Sequence, residues 1–192
     1  MLIRDLAKSA ACLALAIAMP AQAAQNGITY DCDTAANHYS DLVLPTPQGP
    51  FTVRGQLRLN QVASSDQYVP MTGIAIADAL DAPGASSKDA AGFKLVAMHA
   101  RLLGVKTKDK DAVLQFQQWN EVKSGTEVTH DPIPLPDTQN GGAFSLSYDG
   151  KSVTVEFAGQ RRDIPLTAAT PVVRLTCSTG EFLYTDLIIQ SQ

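Results

Sequence analysis

The chain has 192 residues and carries 15 Lys and Arg against 19 Asp and Glu, a net charge of −4. That balance excludes a nucleic-acid partner, which needs a clustered basic face. It also gives no electrostatic reason to sit on an anionic membrane.

The first 23 residues read as a secretory signal peptide. Arg4 and Lys8 precede an apolar run from Ala10 to Met19, then Pro20 and the small-residue triplet Ala21-Gln22-Ala23. The order of charge, apolar run and A-x-A site is that of a cleaved export signal. The run is shorter than the roughly 20 residues a bilayer span needs. Cys12 lies inside the run rather than closing it, which argues against lipidation. Cleavage after Ala23 leaves residues 24–192 as one domain with a net charge of −5, located in the periplasm or secreted. No membrane insertion is expected of it. Cys32 and Cys177 then remain near the two ends of an exported chain, and the expected outcome is a disulfide.

Period-two alternation runs through the remainder. Residues 51–62 place Val53, Gly55, Leu57 and Leu59 on one side, and Arg54, Gln56, Arg58 and Asn60 on the other, as in a half-buried strand. Residues 69–80 hold an apolar strand around Ile74 and Ile76. Residues 92–105 read as a strand buried on both sides, although periodicity alone also permits a helix. A charged turn, 106–111, leads into the strand 111–122. Residues 81–92 and the proline-rich 130–142 are loops. Phe144, Leu146 and Tyr148 alternate before Asp149-Gly150, and Val153, Val155 and Phe157 after it, which predicts a type I′ hairpin. Val173, Leu175 and Cys177 share a face before a turn at Thr179-Gly180 and a final strand.

Many short strands at regular spacing predict an all-β domain of about ten antiparallel strands, a sandwich or a closed barrel. The stretches "FSLSYDGKSVTVEFAGQRRDIPL" and "VVRLTCSTGEFLYTDLIIQ" resemble the closing strands of the concanavalin A-like lectin and glucanase jelly rolls. The resemblance is strongest over 142–189. It implies a jelly-roll β-sandwich of the kind found in exported bacterial sugar-binding and glycan-hydrolysing proteins, with a concave sheet that binds glycans. Fold does not select among those functions.

Chemical motifs are sparse. The Glu-x-Asp-x-x-Glu run of the resembling glucanases is missing. Glycoside hydrolysis needs two carboxylates about 5–9 Å apart. Asp66, Asp78, Glu121 and Glu156 could supply them only from separate strands. His38, His99 and His130 stand isolated, without metal-ligand spacing. No G-x-S-x-G elbow is present. The aspartates lack a D-x-D-x-D-G loop, so a calcium ion held by sandwich loops is unsupported and no cofactor is expected.

One stretch points to a ligand. Along "AVLQFQQWNEV" (112–122), Leu114 and Phe116 share a face with Val122. Gln115, Gln117, Glu121 and Trp119, the single tryptophan, share the other. A ring flanked by amides and a carboxylate suits a pyranose, and Arg54, Gln56 and Arg58 could extend the surface. The competing reading is a bulge at Gln117-Gln118 that turns Trp119 to the Phe116 side and buries it. The expected function is noncatalytic binding of an oligo- or polysaccharide. The alternatives are a glycan hydrolase, or a structural or protein-interaction domain without a small-molecule site.

Overall fold

The computed structural model describes residues 27–63, 65, 68–79, 87–106, 108–109, 112–136 and 140–192. The expected signal peptide, Cys12, Asp66 and residues 81–86 of the expected 81–92 loop lie outside them; the end of that loop is instead strand, from Ala90. The strands are β1 (Ile28–Pro45), β2 (Phe51–Val62), β3 (Met71–Asp78), β4 (Ala90–His99), β5 (Val113–Lys123), β6 (Thr126–Glu127), β7 (Ile133–Pro134), β8 (Gly142–Tyr148), β9 (Ser152–Phe157), β10 (Gln160–Pro165) and β11 (Pro171–Ser191). All pairings are antiparallel, in the order β10-β9-β8-β2-β11-β3-β4-β5-β6, with β1 on β11 and β7 on β5.

The long strand β11 divides this sheet into two layers. Its second half, from Gly180, pairs with β2, and its first half, to Ser178, pairs with β3. Layer A is therefore β10-β9-β8-β2 with the end of β11, and layer B is the start of β11 with β3-β4-β5 and the short β6 and β7. The expected turn at Thr179-Gly180 is instead a bend within one strand. Thr179 takes φ 58°, unfavourable for a β-branched residue. A Cβ on Gly180 would sit 2.9 Å from the Gln61 carbonyl oxygen. The buried Thr34 hydroxyl satisfies both backbone groups of Gly180. Cys32, beside Phe182 in layer A, is disulfide-bonded to Cys177 in layer B, with Cα atoms 6.4 Å apart. The expected disulfide is present and ties the layers together beside the bend.

The layers face each other across an aromatic core. Phe93 of β4 stacks on Phe157 of β9 at 4.2 Å between centroids and tilts against Phe144 of β8 at 5.8 Å. Val53, Leu57, Val155 and Leu175 fill the remainder, all buried. Among the described residues the hydrogen-bonded path ends at β10 and β6 without closing, so the architecture is a jelly-roll sandwich and not a barrel. Two local expectations differ. The hairpin turn has Gly150 and Lys151 as its central pair; Gly150 takes φ 94° and Lys151 a negative φ, the pattern of a type II′ turn rather than I′. The Asp149 carboxylate caps the amides of Lys151 and Ser152 there. The expected strand over 92–105 stops at His99 and continues as a 3₁₀ turn, Ala100–Leu103.

Candidate functional site

The β4–β5 register runs without a shift, pairing Phe93 with Trp119, Leu95 with Gln117 and Ala97 with Gln115. Partners in an antiparallel pair share a face. The face carrying Gln115, Gln117, Trp119 and Glu121 is therefore the inner one. Trp119 is 7% exposed and belongs to the core, so the exposed sugar platform is not what the fold builds. The bulge at Gln117-Gln118 is not formed either: Trp119 is buried on its own side of the strand. The sheet turns that side inward because Phe93, Leu95 and Ala97 of β4 lie on it.

Glu121 is buried at the open side of the sandwich. His130 Nε2 lies 2.8 Å from one carboxylate oxygen and Lys123 Nζ 2.6 Å from the other. Arg162 of β10 reaches across from layer A, 4.0 Å from the carboxylate and 5.9 Å from the centre of the Trp119 ring. Charge and cation–π attraction thus close the unpaired edges. Burial pushes the Glu121 pKa up, but hydrogen bonds from Lys123 and His130 outweigh it and hold the carboxyl below its ordinary 4.5. Its folded pKa being depressed, the stability it contributes is fully present above pH 4.5 and is lost as pH falls towards the folded value. Glu121→Gln is expected to flatten the acid limb of a denaturation-versus-pH curve in that window. An unchanged acid slope would show that the carboxylate is not coupled to folding.

Arg54, Gln56 and Arg58 lie on the outer face of layer A. Ile188, Arg54, Ser145, Glu156 and Arg161 form one cross-strand row there. Arg161 pairs with Glu156 at 2.6 Å. Arg54, Gln56, Glu156 and Asp186 line a trough of about 670 Å³, and Arg58, exposed further along β2, is not part of its lining. The seven residues expected to act together are therefore divided between the sandwich interior and the outer surface of the opposite layer.

A groove of about 300 Å³ crosses the outer face of layer B. Along β3, Thr72, Ile74 and Ile76 point inward while Gly73, Ala75 and Ala77 point outward. Ala90 and Gly92 of β4 continue that face. Ala75, Ala77 and Ala90 pack as a low floor with Val122 and Val172 beside them. Charged walls stand over it. Arg174 donates through Nε to Asp41 Oδ1 at 2.9 Å and through Nη2 to Oδ2 at 2.6 Å, with Nη1 on Ser87 Oγ at 3.1 Å and Nη2 on the Tyr39 hydroxyl at 3.4 Å. The Asp41 hydrogen bonds push the Arg174 pKa further up. Partial burial, then the nearby Asp41 charge, push the Tyr39 hydroxyl pKa up from its ordinary value. Lys94 is paired with Glu127 on the opposite wall, next to Asn120. The Tyr39 ring remains 60% exposed. None of these wall residues was singled out in the sequence. The signal that could have found them is the alternation of very small with large residues in "TGIAIA".

The described carboxylates among those considered for hydrolysis, Asp78, Glu121 and Glu156, are not gathered. Asp78 caps the Thr170 amide at 2.9 Å at the end of β3, Glu121 is inside, and Glu156 is on the outer face of layer A. Among the described residues no three His, Cys, Asp or Glu side chains converge.

The architecture is a two-layer antiparallel β-sandwich. No family model and no curated protein matches the chain. Solved structures of similar shape include the carbohydrate-binding module CBM66 from Bacillus subtilis, with TM-score 0.48 and 10% identity over 86% of this chain and 92% of that one. The Bacillus licheniformis β-glucanase has TM-score 0.46 and 8% identity, covering 89% and 95%. Xenopus laevis galectin-Ib has TM-score 0.43 and 11% identity, covering 79% and 100%.

Proposed function

We propose that the protein is an exported, noncatalytic carbohydrate-binding protein whose ligand lies in the groove on layer B. The observation that carries this is the combination of a floor of alanines with pre-positioned polar walls. Small outward side chains let a flat ring approach the sheet closely. The Arg174–Asp41 pair and Asn120 then offer donors and acceptors to ring hydroxyls, the ion pair being already ordered before binding. The exposed Tyr39 ring supplies the apolar surface on which a pyranose face rests. The Cys32–Cys177 disulfide supports an oxidising compartment, consistent with export.

A glycan array followed by calorimetric titration of its best oligosaccharide tests the reading. Tyr39→Ala is expected to weaken binding about tenfold, with folding intact. Arg54→Ala/Gln56→Ala is expected to leave it unchanged, because those residues line the other layer. Loss of binding in the second variant and not the first would move the site to the layer A trough. An empty array would remove the reading. Release of reducing sugar from the bound glycan would replace it with a hydrolase.

A further inference from the structure

One end of the sandwich is built to present apolar side chains to the outside. The β4–β5 connection begins with the 3₁₀ turn Ala100–Leu103, anchored by the buried Ala100. The Ala100 amide donates to the Ala112 carbonyl at 2.8 Å, and the Val105 amide to the Ala100 carbonyl at 3.1 Å. Gly104, at φ 68°, closes the turn. This ordered frame directs Leu102, Leu103 and Val105 outward at 65%, 39% and 46% exposure. The β2–β3 connection lies beside it: the Ala97 amide donates to the Pro70 carbonyl at 2.9 Å. Pro70, Met98, His99 and Leu102 also share a small cleft of about 50 Å³. That connection adds Tyr68 and Val69, exposed by 57% and 43%.

The described charges around this tip, Arg101, Lys106 and Lys108 against Asp109, are net positive, opposite in sign to the whole chain. Arg101, Lys106 and Lys108 are exposed and have no ion-pair partner among the described residues. The chain as a whole carries −4. A local basic collar around an apolar point would therefore orient the molecule on a negative surface.

We propose that this end of the sandwich docks on an anionic lipid surface. Leu102, Leu103 and Val105 enter the headgroup–acyl boundary, and Arg101, Lys106 and Lys108 contact the phosphates. Tyr68, with an apolar ring and a polar hydroxyl, sits at the level where tyrosines concentrate in membranes. The tip projects as a turn rather than forming a groove, and a bilayer accommodates such a point without a pre-shaped partner. Net charge alone argued against this surface, because it averages the tip with an acidic remainder.

Sedimentation with lipid vesicles tests it. The protein is expected to pellet with phosphatidylcholine vesicles containing about one third phosphatidylglycerol, and much less with phosphatidylcholine alone, with binding reduced by salt. Leu102→Asp/Leu103→Asp is expected to weaken binding at least about tenfold. Lys106→Glu/Lys108→Glu is expected to weaken it about tenfold or more, since each cation contributes severalfold. All four side chains being exposed, the unfolding midpoints should stay at the wild-type value. No binding to the anionic vesicles, or equal binding by the leucine variant, would overturn the proposal. So would a wild-type dimer in sedimentation velocity that the leucine variant disperses, since the leucines would then belong to a second copy of the chain.

Discussion

Removing the Cys32–Cys177 disulfide is expected to lower the unfolding free energy by about 5 kcal/mol. The bond joins residues 145 apart, so it constrains nearly the whole unfolded domain. It also joins the layers where β11 bends, next to a threonine at positive φ and a glycine pressed against the Gln61 carbonyl. A domain of this size has about 5–15 kcal/mol of stability in total, so this one bond accounts for a large part of it. Cys32→Ala/Cys177→Ala, which leaves no buried thiol, should move the urea midpoint down by about 2 M. The β1–β11 backbone pairing should persist in the variant, so circular dichroism below the midpoint should remain that of the native sheet. Midpoints within a few tenths of a molar would show that hydrogen bonding along β1 and β11 holds the layers together without the bond.

Trp119→Ala is expected to cost about 3–5 kcal/mol, the range for deleting a buried aromatic side chain. The ring packs on the inner face opposite Phe93 and under the Arg162 guanidinium. Its removal opens a void at the edge where the two layers are not hydrogen-bonded, and leaves Arg162 with Glu121 alone. Trp119→Phe should cost less, since it retains an aromatic face. The wild-type ring, as the single tryptophan, should emit in the blue and resist iodide quenching. It should also be insensitive to glycans bound on the outer face of layer B. A red, easily quenched emission would place the ring in water and contradict its core position.

The alternation of residues was a reliable guide to elements and pairs. "FSLSYDG" and "KSVTVEF" form the hairpin they predict, because each strand buries one side and a one-residue slip would expose its whole apolar set. The expected disulfide rests on equally simple grounds: two cysteines remain near the ends of the chain once the expected signal peptide is set aside. Grouping Gln115, Gln117, Trp119 and Glu121 on one side of β5 was also correct.

Which side faced inward was not legible. A polar row reads as solvent-facing, yet Glu121 is buried because His130, Lys123 and Arg162 arrive from a loop, its own strand and the opposite layer. Those partners are distant in sequence or invisible to a period-two count. The groove was hidden for the same reason. Tyr39, Asp41 and Arg174 come from opposite ends of the chain and meet through the β1–β11 pairing, while Lys94 and Glu127 meet across the β4–β5–β6 meander.

The sequence by itself therefore determined strand positions, the hairpin and the all-β class, since these depend on local alternation and on the solvent preference of each side chain. Only the tertiary structure decided which face of β5 became core, which outer face became the groove, and that the leucines after His99 point outward. Those outcomes depend on which layer each strand joins, and long-range pairing sets that choice rather than any neighbouring residue.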